Sequence, residues 1–201
     1  MEFDRESELI RRITLRDEDA FKELFQRYAS RLAPFFIHRT QDREVTEELI
    51  QETMITVWEK ANRFDGSSKL STWIFGIAYR KFLEWYRGQR KRSMKQEDWL
   101  TPERAATMEA SSQQTAERAL IQERIQEAIQ RAFIRLPDKY QVVMDLTFYH
   151  GYSYREIARI VDCREGTVKS RMYYGKEKLK EALVEMGFGG DQVWRMLQGI
   201  E

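Results

Sequence analysis

The chain has 201 residues, enough for one or two domains with hydrophobic cores of their own. Its formal net charge of +1 gives no overall bias toward an acidic or a basic partner, so any nucleic-acid site must come from a local cluster of basic residues. One cysteine, Cys163, excludes an intrachain disulfide framework, and the absence of a membrane-length apolar run or a signal-peptide core predicts a cytoplasmic protein.

Helical periodicity dominates the chain from its first third onward. Apolar residues recur at three- and four-residue steps, strand-like alternation is nearly absent, and prolines occur only at Pro34, Pro102 and Pro137. We therefore predict an all-α fold made of two helical domains that are joined by a flexible linker. The first helix is predicted from Glu18 to about Phe36, with Pro34 expected to kink or end it.

A second helix is predicted from Thr46 to Asn62, and it has two contrasting faces. Its apolar face carries Ile50, Met54, Val57, Trp58 and Ala61. Its other face is polar and acidic and carries Glu48, Gln51, Glu52, Ile55 and Glu59. Ile55 among these acids is either a lone surface side chain, which is common, or a contact for a partner.

The third helix is predicted from about Ser71 to beyond Tyr86, and it mixes aromatic with basic residues. Trp73 fits the core, whereas Phe75, Tyr79, Phe82 and Tyr86 fall on a second face. These rings either stack on bases of strand-separated DNA or pack against neighbouring helices. The basic run at 87–92 favours nucleic acid. Residues 1–92 are predicted to form the first domain.

Residues 93–114 are polar and poorly periodic, which predicts a flexible linker. Helical periodicity returns near Thr115, breaks at Pro137 and continues to residue 186, so residues 115–186 are predicted to form a four-helix domain. Residues 187–201 form a tail whose role the sequence leaves open.

The segment SYREIARIVDCREGTVKSR, beginning at Ser153, predicts a helix-turn-helix. Ser153 and Glu156 have the spacing of a capping box, and a tight turn follows at Asp162. The next helix has an apolar stripe at Val168, Met172, Gly175, Leu179 and Leu183. Its opposite face carries Thr167, Ser170, Arg171, Tyr174 and Lys178. This arrangement favours insertion into the DNA major groove over an ordinary helical hairpin.

Three stretches together resemble the small extracytoplasmic-function (ECF) sigma factors of the sigma-70 family. NRFDGSSKLSTWIFGIAYRKFLEWYRGQRKR is similar to part of region 2, and EELIQETMITVWEKA is similar to the core-binding helix before it. LPDKYQVVMDLTFYHGYSYREIARIVDCREGTVKSRMYYGKEKLKEAL is similar to region 4. The resemblance implies a partner, bacterial core RNA polymerase, and a ligand, promoter DNA in duplex and single-stranded form. It also implies an anti-sigma factor as an inhibitor.

The resemblance assigns roles to particular residues. It implies core-polymerase binding by Glu48, Gln51, Glu52, Ile55 and Glu59. It implies −10 recognition and melting by Phe64, Ser67, Ser68, Lys69, Trp73, Tyr79, Arg80, Lys81 and Arg87. It implies −35 recognition by Thr167, Lys169, Ser170, Arg171, Tyr174 and Lys178.

Nothing in the sequence predicts catalysis. No nucleophile–base pair, phosphate-cradling glycine loop or metal-spaced ligand set occurs, so we expect no enzyme activity, cofactor, metal or small-molecule substrate. His38 and His150 lie in separate blocks and are expected to be packing or surface residues. Two alternatives remain: a helix-turn-helix regulator that acts without polymerase, and a sigma-like adaptor that binds polymerase but no longer reads DNA.

Overall fold

The structure is a computed structural model that describes residues 2–93 and 126–188, with side chains from 6–89 and 126–188. The N-terminal helices are α1 (Glu2–Thr14), α2 (Glu18–Thr40), α3 (Arg43–Lys60) and α4 (Leu70–Ser93), with a short 3-10 turn, Ala61–Arg63, after α3. The second part contains α5 (residues 126–134), α6 (Asp138–Phe148), α7 (Tyr154–Ile160) and α8 (Glu165–Glu185). No strand occurs in these ranges, which confirms the predicted all-α class.

Helix α1 was missed by the sequence prediction, which began the first helix at Glu18. Its apolar residues Leu9, Ile10 and Ile13 are buried against the bundle. Asp17 then starts α2 by accepting a hydrogen bond from the Ala20 N–H at 3.0 Å.

Helix α2 runs six residues beyond Pro34 and ends at Thr40, so of the two outcomes predicted for Pro34, a kink or an end, the end does not occur. A proline inside a helix removes one backbone hydrogen bond, a local cost that packing can offset. Phe35 and Phe36, directly after it, are both fully buried, and their packing holds the last turns in helical conformation. The end comes at Gln41, whose left-handed backbone turns the chain toward α3.

Helix α3 begins at Arg43, three residues before the predicted start, because Asp42 caps it. The Asp42 carboxylate accepts hydrogen bonds from the Glu44 and Val45 N–H groups at 2.9 and 3.2 Å. Helix α4 confirms the third predicted helix. It ends at Ser93, the first residue of the predicted linker, and the remainder of that linker lies outside the described residues.

The helix-turn-helix is confirmed as α7 and α8. The Ser153 Oγ accepts from the Glu156 N–H, and the Glu156 carboxylate accepts from the Ser153 N–H at 2.9 Å, so both halves of the capping box form. Asp162 holds a left-handed φ of 50° in the turn. Gly175 lets α8 approach α6, since a Cβ there would lie 2.9 Å from the Met144 sulfur. Most of the C-terminal tail, residues 189–201, lies outside the described residues.

The two helical parts pack directly against each other, which the sequence did not predict. Helix α4 contacts α7, and α2 contacts the end of α6. Phe75 of α4 is fully buried, with its ring centroid 4.9 Å from that of His150 and 5.2 Å from that of Tyr152. The aromatic core therefore continues from one part into the other.

A cluster of polar side chains around a buried carboxylate completes this interface, and we call His38, Arg39, Asp145 and His150 the Asp145 cluster. The Asp145 carboxylate lies 3.0 Å from His38 Nδ1 and 3.0 Å from Arg39 Nη1, both on α2. The side chains of Asp145 and Arg39 are only 3% and 1% exposed. His150 Nε2 lies 3.8 Å from the same carboxylate. The two histidines, which are far apart in the sequence, are therefore neighbours of one side chain.

Candidate nucleic-acid interface

The acidic face of α3 is fully open to solvent in the structure. Its five predicted members are all exposed: Glu48, Gln51, Glu52, Ile55 and Glu59. Ile55 is 54% exposed, whereas its neighbour Met54 is completely buried on the other side of the helix. Glu52 also pairs with Lys81 of α4, with 3.4 Å between the carboxylate and the ammonium nitrogen. The face presents carboxylates around one apolar side chain, the arrangement that suits docking of a basic partner helix.

The loop between α3 and α4 is an ordered turn. The Asp65 carboxylate accepts a hydrogen bond from the Ser67 N–H at 2.9 Å, and this bond lowers the pKa of Asp65. Gly66 adopts a φ of 72°, which favours glycine. Phe64 packs on Trp73 with 5.5 Å between ring centroids, so the loop is fixed onto α4.

A cleft of about 290 Å³ opens between this loop and the start of α4. Its lining is Ser67, Ser68, Thr72, Trp73, Gly76, Arg80 and Arg159. Thr72 was missed by sequence reasoning. Its Oγ1 is buried and has no hydrogen-bond partner among the residues that the structure describes. A buried hydroxyl without a partner is costly, and Thr72 is one of the residues that line this cleft.

A second cleft, of about 300 Å³, lies on the other side of Trp73, between α3 and α4. Its polar lining includes the cations Lys60, Arg63, Arg80 and Lys81, against one carboxylate, Glu84. Lys60 and Arg63 were not among the predicted −10 contacts, because the sequence analysis assigned no function to the end of α3 and the turn after it. Trp73 and Arg80 line both clefts, and the combination of one ring with several cations suits a single nucleic-acid strand.

The second aromatic face of α4 is mostly buried. Three of its rings, those of Phe75, Tyr79 and Phe82, are at most 8% exposed. They therefore pack against neighbouring helices, the second of the two predicted roles, and are not open to bases in this structure. Tyr79, which was assigned to the −10 surface, is among these buried rings, and burial raises its pKa. Tyr86 is 41% exposed, and Arg87 is exposed.

The outer face of α8 presents the predicted reading side chains. Ser170, Tyr174 and Lys178 are exposed, whereas Thr167 and Arg171 are half-buried. Lys169 is exposed and pairs with Glu165 at 3.2 Å. Tyr173 is 63% exposed beside Tyr174, and sequence reasoning missed it. The apolar stripe of α8 is buried, as predicted.

Comparison with known proteins decides the family. Residues 24–92 match the family model for sigma-70 region 2, and residues 126–179 match that for sigma-70 region 4. The chain is 30% identical over 170 residues to the ECF RNA polymerase sigma factor RpoE of Cereibacter sphaeroides, covering 83% of this chain and 87% of RpoE. The chain belongs to the ECF sigma factors of the sigma-70 family. It is also 28% identical to the ECF sigma factor SigW of Bacillus subtilis, covering 88% and 96% of the two chains.

Solved structures agree with this family. The sigma factor RpoE of Bartonella quintana, solved with the anti-sigma factor NepR, matches with a TM-score of 0.63 and 26% identity, covering 81% of this chain and 96% of that one. CnrH, solved with the cytosolic domain of CnrY, matches with a TM-score of 0.61 at 19% identity, covering 89% and 96%. At 19% identity, the similarity to CnrH supports the shared fold only. The resemblance inferred from the sequence is confirmed.

Two further observations concern the described ranges. No helix in residues 2–93 or 126–188 is long and apolar enough to cross a membrane. No group of three or more His, Cys, Asp or Glu side chains in the same ranges is placed to hold a metal ion.

Proposed function

We propose that this ECF sigma factor directs bacterial core RNA polymerase to specific promoters in the cytoplasm and starts strand opening there, without catalysis of its own. The observation that carries the proposal is that one chain combines three features: an exposed acidic helix face, two clefts around Trp73, and a helix-turn-helix. A helix-turn-helix regulator that acted alone would leave the first two surfaces without a role.

The acidic face of α3 is the proposed polymerase contact. Its carboxylates supply charge complementarity, which raises the association rate, and Ile55 supplies an apolar anchor at its centre. Glu48 is the better test residue because Glu52 is already paired with Lys81.

Charge reversal by Glu48→Lys is expected to weaken binding to core polymerase about tenfold at low salt, by replacing attraction with repulsion at the docking face. The measurement is competition for fluorescently labelled core polymerase. Glu181→Lys, on the exposed surface of α8, is the matched control and is expected to leave the affinity unchanged. Equal affinities for wild type and Glu48→Lys would show that the acidic face of α3 does not contact the polymerase.

The clefts around Trp73 are the proposed site for the −10 element. The loop residues Ser67 and Ser68, together with Thr72 and Arg80, line the cleft beside the start of α4. A base extruded from the stack costs a few kcal/mol, and polar edge contacts and stacking in such a pocket offset that cost. The second cleft holds the basic side chains that would follow the phosphate backbone.

Helix α8 is the proposed −35 reader. Arg171→Ala is expected to weaken binding to the cognate −35 duplex by 10- to 100-fold, about 1–3 kcal/mol, if Arg171 forms a bidentate pair with guanine. Lys178→Ala, on the exposed end of the same face, is expected to weaken binding to all duplexes about equally, as a phosphate contact does. The measurement is anisotropy on matched and scrambled duplexes. If Arg171→Ala weakened binding to the matched and the scrambled duplex equally, Arg171 would also be assigned as a phosphate contact.

An anti-sigma factor is the remaining proposed partner. The Bartonella quintana sigma factor RpoE described above was solved in complex with the anti-sigma factor NepR. The proposal for this chain rests on that relative.

A further inference from the structure

We propose that residues 189–201, the end of the C-terminal tail, dock as a short amphipathic helix in an apolar groove of the same chain. The groove lies between α5, α6, α8 and the end of α2. Its volume of about 470 Å³ is larger than that of either cleft around Trp73, and the proposed function gives it no role.

The groove is apolar and accessible to solvent. Its lining includes apolar side chains from three helices: Ile129, Phe133, Ile134, Phe148 and Leu179. Ile134 is 47% exposed and Phe148 is 37% exposed, although both side chains are large and apolar. Neighbouring apolar side chains that remain exposed around a groove are typical of a surface that another segment covers.

The tail begins close to this groove, because α8 ends in a Schellman motif. The Gly187 N–H donates to the Val184 carbonyl oxygen at 2.9 Å, and the Phe188 N–H donates to the Leu183 carbonyl oxygen at 3.1 Å. Gly187 holds a left-handed φ of 90°, so the chain leaves the helix axis at this point. Leu179 of the groove lies only about 6 Å, one helical turn, before Leu183.

The length of the tail is sufficient for docking. Residues 189–201 would span about 20 Å as a helix and about 43 Å if fully extended. Either length exceeds the distance of about 6 Å along α8 between Leu179 and the residue to which Phe188 is bonded. The tail can therefore reach the groove and lie along it.

The tail sequence, GGDQVWRMLQGIE, predicts a helix with one apolar face. Asp191 is a suitable N-cap residue, and Arg195 falls opposite the centre of the apolar face. A helix of about ten residues is only marginally stable alone in water, so it requires an apolar surface to pack on. The predicted apolar face carries Val193, Trp194, Met196, Leu197 and Ile200.

Trp194 is the proposed anchor. An aromatic side chain buries about 150–250 Å², and the indole N–H needs an acceptor when it is buried. Gln41 lines the groove, and its side-chain nitrogen donates to the carbonyl oxygens of Ile37 and His38 at 3.3 and 3.1 Å. Within the described part of the chain, this leaves the Gln41 amide oxygen as an acceptor among apolar neighbours.

The chain's own tail is favoured over the tail of a second copy. A segment that is tethered this close to its site has an effective concentration in the millimolar range. A second copy at micromolar concentration would compete poorly with it. Docking is therefore expected within one molecule.

Hydrogen exchange of the full-length protein, followed by mass spectrometry, tests the docking. We expect the amides of residues 193–200 to exchange at least about tenfold more slowly than those of an unstructured chain, because burial of an indole stabilises the docked state. Trp194→Ala should remove this protection. Ile134→Asp should also remove it, although Ile134 is far from the tail in the sequence, so that loss of helix propensity in the tail cannot explain the effect.

Two matched controls are expected to keep the protection. Arg195→Ala changes the polar face of the predicted tail helix, and Arg135→Asp places the same carboxylate on the exposed neighbour of Ile134, outside the groove lining. Far-UV circular dichroism verifies that Ile134→Asp is folded. Exchange of the wild-type tail at the rate of an unstructured chain would overturn the docking, as would protection that persists in a folded Ile134→Asp protein.

Photocrosslinking tests the position of the tail without disturbing the groove. Benzoylphenylalanine in place of Trp194 keeps an aromatic anchor and should crosslink to groove residues such as Met144 or Phe148 in the monomer band. The same group in place of Arg195 should not. Crosslinks only in a dimer band would give the groove to a second copy and overturn docking within one chain, and crosslinks outside the groove would overturn it as well.

The outcomes distinguish this docking from the proposed function. An unprotected tail together with normal transcription from promoters would overturn the docking and leave the proposed function standing. A protected tail in a protein that supports no transcription with core polymerase would overturn the proposed function and leave the docking standing.

Discussion

Asp145→Asn is expected to open the molecule while leaving each helical part folded. The carboxylate of Asp145 lies between His38 and Arg39 of α2, and it is the main counter-charge for an arginine that is 1% exposed. Burial raises the pKa of Asp145, but the His38 hydrogen bond and the Arg39 charge outweigh burial and hold that pKa below its usual value. Asp145 is therefore ionised in the closed state at neutral pH.

Breaking one partner of a buried ion pair leaves the other charge uncompensated and costs about 3 kcal/mol. Asp138 is the other carboxylate near Arg39, 3.8 Å from its Nε, and it compensates only in part. In an open molecule both Arg39 and residue 145 would be solvated, so the cost falls on the closed state alone. The ratio of closed to open molecules should fall about a hundredfold.

Small-angle scattering on the free protein is the measurement for Asp145→Asn. We expect the radius of gyration to increase and the far-UV circular dichroism to stay that of wild type. Asp162→Asn makes the same chemical change at an exposed position with a left-handed φ, which asparagine tolerates, and should change neither signal. A scattering profile of Asp145→Asn identical to that of wild type would show that the Asp145 cluster does not hold the parts together.

Lowering the pH from about 7 to about 4 is expected to open the same interface. Burial lowers the pKa of His150 to about 4, even though the nearby Asp145 carboxylate opposes the shift. The imidazole is neutral in the closed state because it lies among the rings of Phe35, Phe75 and Tyr152, and its side chain is 5% exposed. In an open molecule it would titrate near its ordinary pKa of about 6.5.

The sign follows from proton uptake. Between about pH 6.5 and pH 4 the open state binds a proton that the closed state does not, so the closed state loses up to about 3 kcal/mol as the pH falls. The Asp145 contribution is lost only at still lower pH, because its pKa in the closed state lies below the ordinary value. Arg31 and Arg39 also face the imidazole, and their positive charges add to the lowering of the His150 pKa.

His150→Phe removes the titrating group and keeps an aromatic ring in the same surroundings. We expect the radius of gyration of wild type, measured by small-angle scattering across this pH range, to increase with falling pH, whereas the variant stays closed at pH 5. Identical pH profiles for the two proteins would assign the transition to another group. Far-UV circular dichroism separates opening from unfolding.

Local signals explain what the sequence could predict. The capping box at Ser153 and Glu156, the turn at Asp162 and the stripe of α8 are each specified within a few residues, and all are present in the structure. The same holds for the two faces of α3, where exposure of Ile55 followed from the helical period alone.

Features that depend on distant residues were not predictable in this way. The extension of α2 beyond Pro34 depends on the burial of Phe35 and Phe36, and the burial of Tyr79 depends on packing of α4 against other helices. The Asp145 cluster joins residues 38 and 145, a pairing that no periodicity encodes. Thr72 became a candidate only when the structure showed it among the residues that line a cleft.

Transcription from sigma-free core polymerase tests the central claim most directly. Purified full-length protein, core polymerase and a library of genomic promoter fragments are combined, and the 5′ ends of the transcripts are mapped. We expect initiation at a defined set of fragments that share two spaced elements, with no such transcripts from core polymerase alone. The same transcripts with and without the protein would contradict the account.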